Sequence, residues 1–117
     1  MPAEIHLGEF EQLVLLAVVR LAPDAYGMTV RREIAARTGR EPAIGAIYAT
    51  LDRLEGKGLV RSAEGPPTAQ RGGRAKRLFE LTAAGEAALR EARRALLSMS
   101  EGLALFGDGP LPGEPAK

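Results

Sequence analysis

The sequence predicts an α+β fold, mainly helical: three helices, a two-stranded hairpin and a long terminal helix. Apolar residues recur at helical spacing over three early segments and one late one. Two short strand-like runs, Leu59–Ala63 and Lys76–Leu81, flank a stretch containing two Pro and three Gly. The cations gather between them and just before them. From Arg31 to Arg77 there are eleven Lys/Arg against five Asp/Glu, a local balance of +6, whereas the rest of the 117 residues carries −5. The net charge of +1 therefore hides a polarised chain.

The first helix is expected from about Ile5 to Leu21, with Leu7, Phe10, Val14, Ala17, Val18 and Leu21 at helical spacing. Leu13, Leu15, Leu16 and Val19 widen its apolar face, and a helix apolar nearly all round is covered on more than one side. In so short a chain, the second cover is expected to be another subunit. Pro23–Gly27 breaks the helix. Met28–Thr38 forms the second helix, closed by Gly39, and Pro42 begins the next turn.

The third helix, about Ala43 to Gly56, places Ile44, Ile47, Tyr48, Leu51 and Leu54 on one face. Ala46, Ala49, Arg53 and Lys57 fall opposite, flanked by Gly45 and Thr50. Glu55 projects on the apolar side, which the helical wheel does not explain. Glu64–Gly73 reads as a loop too long for a tight hairpin. Thr82 caps a fourth helix to about Phe106, where Leu89, Leu96 and Leu103 lie seven apart, as do Ala92, Met99 and Phe106. That heptad seam, with Leu13 and Leu16, predicts a homodimer contact. The expected organisation is a DNA-binding unit at 1–81, a dimerisation helix at 82–106 and a disordered tail at 107–117.

Composition removes several classes. The chain has no Cys, which leaves no disulfide, zinc finger or thiol nucleophile. The longest apolar run, Leu13–Val19, is far short of the roughly 20 residues that span a bilayer, so no membrane partner is expected. The start, Met-Pro-Ala-Glu-Ile-His, lacks a basic leader region, and a cytoplasmic protein is expected. One His, three scattered Asp and no phosphate-loop motif argue against an enzyme, and no cofactor or metal is expected. His6, near Glu4 and Glu9, reads as a solvated terminal side chain rather than a ligand.

Helix, helix, helix, strand, long basic loop, strand, helix is the order of a winged helix-turn-helix with a terminal dimerisation helix. There the third helix enters the major groove, its small side chains allowing close approach, and the wing reaches phosphates or the minor groove. The DNA-facing set is then Arg40, Ala43, Gly45, Ala46, Tyr48, Ala49, Thr50, Arg53 and Lys57, with Arg71, Gly72, Gly73, Arg74 and Lys76 in the wing. Ala46, Ala49, Thr50 and Arg53 are expected nearest the bases. Tyr48 reads equally as a core-edge aromatic or a phosphate contact, and Tyr26 as packing or phosphate contact. The alternative is a winged-helix dimer that binds protein or small molecules, with DNA contact secondary.

The chain resembles the PadR family of bacterial transcriptional regulators, in its short form with one C-terminal helix. The resemblance rests on Leu7-Gly8, Ala25-Tyr26-Gly27, the run Gly45–Glu55 with Gly58-Leu59-Val60, the run Arg71–Arg77, Phe79 and Leu81–Gly85. It covers about residues 7–98 and implies a homodimeric repressor of double-stranded DNA at an inverted repeat. It also implies a phenolic or drug-like small-molecule effector between the first and fourth helices. Two departures stand out. Ala43 and Ala49 replace the Ser or Thr and the Pro of many members, and there is no Trp for a dimer-centre ligand site.

Overall fold

Gly8, not Ile5, sets the start of the first helix. Its amide donates to Glu11 Oε1 at 2.9 Å and its carbonyl accepts from the Gln12 amide at 3.0 Å. Helix α1 therefore runs Glu9–Leu21, later than its apolar periodicity predicts, with Glu9 and Glu11 complementing the positive end of the helix. The computed structural model describes residues 6–67 and 75–106. Arg71, Gly72, Gly73, Arg74 and the tail 107–117 lie outside the described residues.

Helix α2, Gly27–Thr38, begins where the Tyr26 amide donates to Thr29 Oγ1 at 3.0 Å. It ends at Gly39, whose φ of 76° lets its N–H reach the Ala35 carbonyl at 3.0 Å. Arg31 Nε donates to the Pro42 carbonyl at 2.7 Å and so braces the turn into α3, Ile44–Gly56. Strands β1, Val60–Pro67, and β2, Ala75–Leu81, pair antiparallel with Val60 opposite Leu81, Ser62 opposite Phe79 and Glu64 opposite Arg77. The ladder resumes at Pro67 opposite Ala75 after an irregularity, so pairing extends into the stretch expected as loop.

One core joins these elements: Val14, Leu15, Ala17 and Val18 from α1, Ala25, Val30 and Ile34, Ile47, Leu51 and Leu54 from α3, and Leu59, Val60 and Phe79 from the hairpin. The hairpin is tied in by the Phe79 amide donating to the Ala25 carbonyl at 2.8 Å and the Leu59 amide donating to Leu54 at 3.0 Å.

Thr82 caps α4, Ala83–Ser100, accepting from the Gly85 amide at 3.0 Å while donating to the Gly58 carbonyl at 2.7 Å. The helix stops at Ser100 instead of Phe106. Gly102 adopts φ 79°, a left-handed conformation that breaks the helix, and a 3-10 turn follows at Ala104–Phe106. Leu103 and Phe106 thus leave the heptad rhythm.

Candidate nucleic-acid interface

Ile47, Thr50, Leu51 and Leu54 form the buried stripe of α3, which leaves Gly45, Ala46, Tyr48, Ala49, Asp52 and Arg53 exposed. This corrects the expectation at Thr50. It is only 3% exposed, because it sits one helical turn from Ile47 and Leu54 and faces the core, so it does not offer its side chain to bases. Tyr48 moves the other way: it is 42% exposed, its ring lying on the Gly27 backbone so closely that a Cβ at Gly27 would overlap it. Ala43 adopts extended geometry at the N-cap and supplies no side-chain cap, in keeping with its departure from Ser or Thr.

The cations of this face are held by acids from distant segments. Glu11, 7% exposed, receives Arg53 Nε at 3.1 Å and Lys57 Nζ at 2.9 Å on the same carboxylate oxygen. Arg53 Nη2 also donates to Thr50 Oγ1 at 3.3 Å. Burial opposes ionisation of Glu11, yet hydrogen bonds from Lys57, the Gly8 amide and Arg53 outweigh it and hold the carboxyl at about 2. Arg40 Nη1 meets Glu9 Oε1 at 2.9 Å. Lys76 Nζ lies 3.3 Å from Tyr26 Oη and 4.4 Å from the centre of that ring.

Arg77 accounts for Glu55. Its Nη1 donates to Asp52 Oδ1 at 2.8 Å, its Nη2 to Glu55 Oε1 and its Nε to Ser62 Oγ at 3.1 Å, while the guanidinium lies 4.9 Å from the Phe79 ring centre. Ser62 Oγ donates to Glu55 Oε2 at 2.6 Å, and this bond, with Arg77 beside it, holds Glu55 below the usual carboxylate range. Neither the Glu11 cluster nor the Asp52–Glu55–Arg77 cluster carried a local signal. Their members stand 42 and 25 residues apart, at Glu11 to Arg53 and Asp52 to Arg77.

The expected dimer residues divide. Leu13 and Leu89 pack against the core, whereas Leu16, Leu96, Met99, Leu103 and Phe106 are exposed, with Leu96 at 64% and Met99 at 81%. Ala92 is half-buried. Gln12, Leu16, Leu89, Leu96, Met99, Leu103 and Phe106 line an open groove of about 610 Å³ between α1 and the end of α4, beside Arg90 and Arg93.

The sequence profile of the transcriptional regulator PadR-like family matches residues 15–91, from within α1 to within α4. The chain belongs to this family. A PadR-like chain of this length is also 38% identical, over 93 residues, to the transcriptional regulator Rv3488 of Mycobacterium tuberculosis, covering 77% of this chain and 82% of that one. Among solved structures, RosR from H. salinarum matches with a TM-score of 0.68 at 25% identity, over 87% of this chain and 84% of that one. A PadR family regulator from Clostridium difficile R20291 matches with a TM-score of 0.67 at 21% identity, over 80% and 93%, and shows the same fold. This PadR-like protein is a winged-helix transcriptional regulator and not an enzyme. No helix among the described residues is long and apolar enough to cross a membrane.

Proposed function

We propose that the protein is a homodimeric repressor acting in the cytoplasm on an inverted-repeat operator, with α3 in the major groove and the wing on the flanking backbone. The observation that carries this reading is the outward face of α3. Gly45, Ala46 and Ala49 leave a low surface, with open space around Gly45, beside a bracing network of fixed cations. Such a surface lets a helix backbone sit close to base edges. Arg71, Arg74 and Lys76 act mainly on phosphates, and so does Arg40 in the α2–α3 turn. The exposed apolar side chains of α4 and of Leu16 are covered by a second copy. The groove between α1 and α4 admits an apolar small-molecule effector that shifts DNA affinity.

In vitro selection from random duplex DNA at two salt concentrations tests this. The expected product is a two-fold symmetric site. Replacing Arg71, Arg74 and Lys76 by Ala weakens binding to all duplexes and lowers the salt slope by roughly one unit per lost contact, counted in both subunits. An unselected pool, or an unchanged slope in the triple variant, overturns the reading.

A further inference from the structure

Arg77 lies in the densest run of cations in the sequence, yet its guanidinium folds back across the surface onto α3 and the hairpin. Three of its nitrogens serve Asp52, Glu55 and Ser62, and its plane rests on Phe79. Asp52 and Glu55 are on α3, whereas Arg77 and Ser62 are on opposite strands of the hairpin. We infer that Arg77 is a positioning residue: it fixes the inclination of the wing to the recognition helix, so that both engage the same DNA site in register. A guanidinium can do this because its planar fork serves two carboxylates at once. It also neutralises Asp52, an acid on the outward face of α3. The inference rests on the DNA-binding reading above, but part of its test needs no DNA.

That part uses the absence of native Cys. Spin labels on Ala46→Cys and Glu64→Cys, diluted with unlabelled chain, report the distance from α3 to the hairpin in the free protein. One narrow distance is expected, broadened by Arg77→Gln and only partly narrowed again by Arg77→Lys, which keeps the charge but not the fork. A distance unchanged by Arg77→Gln overturns the inference whether or not the protein binds DNA.

The DNA part compares a selected duplex with a random duplex of equal length. Arg77→Gln lowers affinity for the selected duplex about tenfold, on the order of one lost base contact, and leaves random binding and the salt slope unchanged. Arg77→Lys, which restores the charge but not the fork, recovers only a minor part of that loss. The charge-neutral pair Asp52→Asn with Arg77→Gln stays as weak as Arg77→Gln, because the tether is still missing. If that pair binds like the unaltered protein, Arg77 only cancels charge and the inference fails. It also fails if Arg77→Gln weakens both duplexes equally and lowers the slope by roughly two units per dimer, which would make Arg77 a phosphate contact.

Discussion

Glu11 shows how much one carboxylate organises. It caps α1 through the Gly8 amide and gathers two cations of the α3 region at 2.9 and 3.1 Å. Its pKa is depressed to about 2, so the stability it adds is fully present above the ordinary carboxylate range and is lost as pH falls towards 2. Because Arg53 and Lys57 remain partly in solvent, that contribution is about 1–2 kcal/mol. Glu11→Gln is expected to lose this amount at pH 7, with the two proteins converging in denaturant midpoint near pH 2. A gap that persists there would show that charge is not the cause. Gly27 makes the complementary point through space. A Cβ there overlaps the Tyr48 ring, so Gly27→Ala should cost about 1–3 kcal/mol in thermal or denaturant melts. Adding Tyr48→Ala should return most of it, because the obstructing ring is gone.

Among the elements, α4 departs most from an isolated amphipathic helix. Of its residues only Gly85 is buried, and its apolar side chains beyond Leu89 stand largely in water. In the proposed dimer these become interface. Leu96→Asp should then give a folded monomer, seen as a halved mass in sedimentation equilibrium with helical signal retained, because an unpaired buried carboxylate is costly in the dimer but not in the single chain. A variant that stayed dimeric would remove Leu96 from the contact. Sequence periodicity located α4 and its Thr82 cap. It overran the helix end because a wheel continues through Gly102, while the backbone there turns left-handed. The α3 wheel erred for a related reason: two residue sets at similar spacing, one with Tyr48 and one with Thr50, differ only in which neighbours meet them. Gly27 leaves room for Tyr48 at the edge, and the core closes over Thr50.

Over the whole molecule, the excess positive charge in the middle is tempered from its ends. Glu9 and Glu11 reach Arg40, Arg53 and Lys57, while Glu80 reaches Arg61. Cations already paired release less DNA counterion when they meet phosphate than unpaired ones do. Arg53→Ala should therefore lower the salt slope by less than Arg74→Ala, for which roughly one unit per proposed phosphate contact is expected. Filter binding over a salt series checks this, and equal slopes for the two variants would show that Glu11 releases Arg53 on binding.

By itself, the sequence determined the order of elements, the apolar stripes that build the core, the absence of thiol chemistry and the family the chain belongs to. These follow from local periodicity, capping residues and composition, which need no knowledge of distant neighbours. The tertiary structure decided which of the described central cations are spent on carboxylates. Apart from the local Arg37–Glu33 pair, those pairings join residues 19 to 46 positions apart, and no local pattern in a chain specifies which distant charges its folding will bring together. The +6 of the middle segment is a property of the sequence, but the charge it presents is a property of the fold.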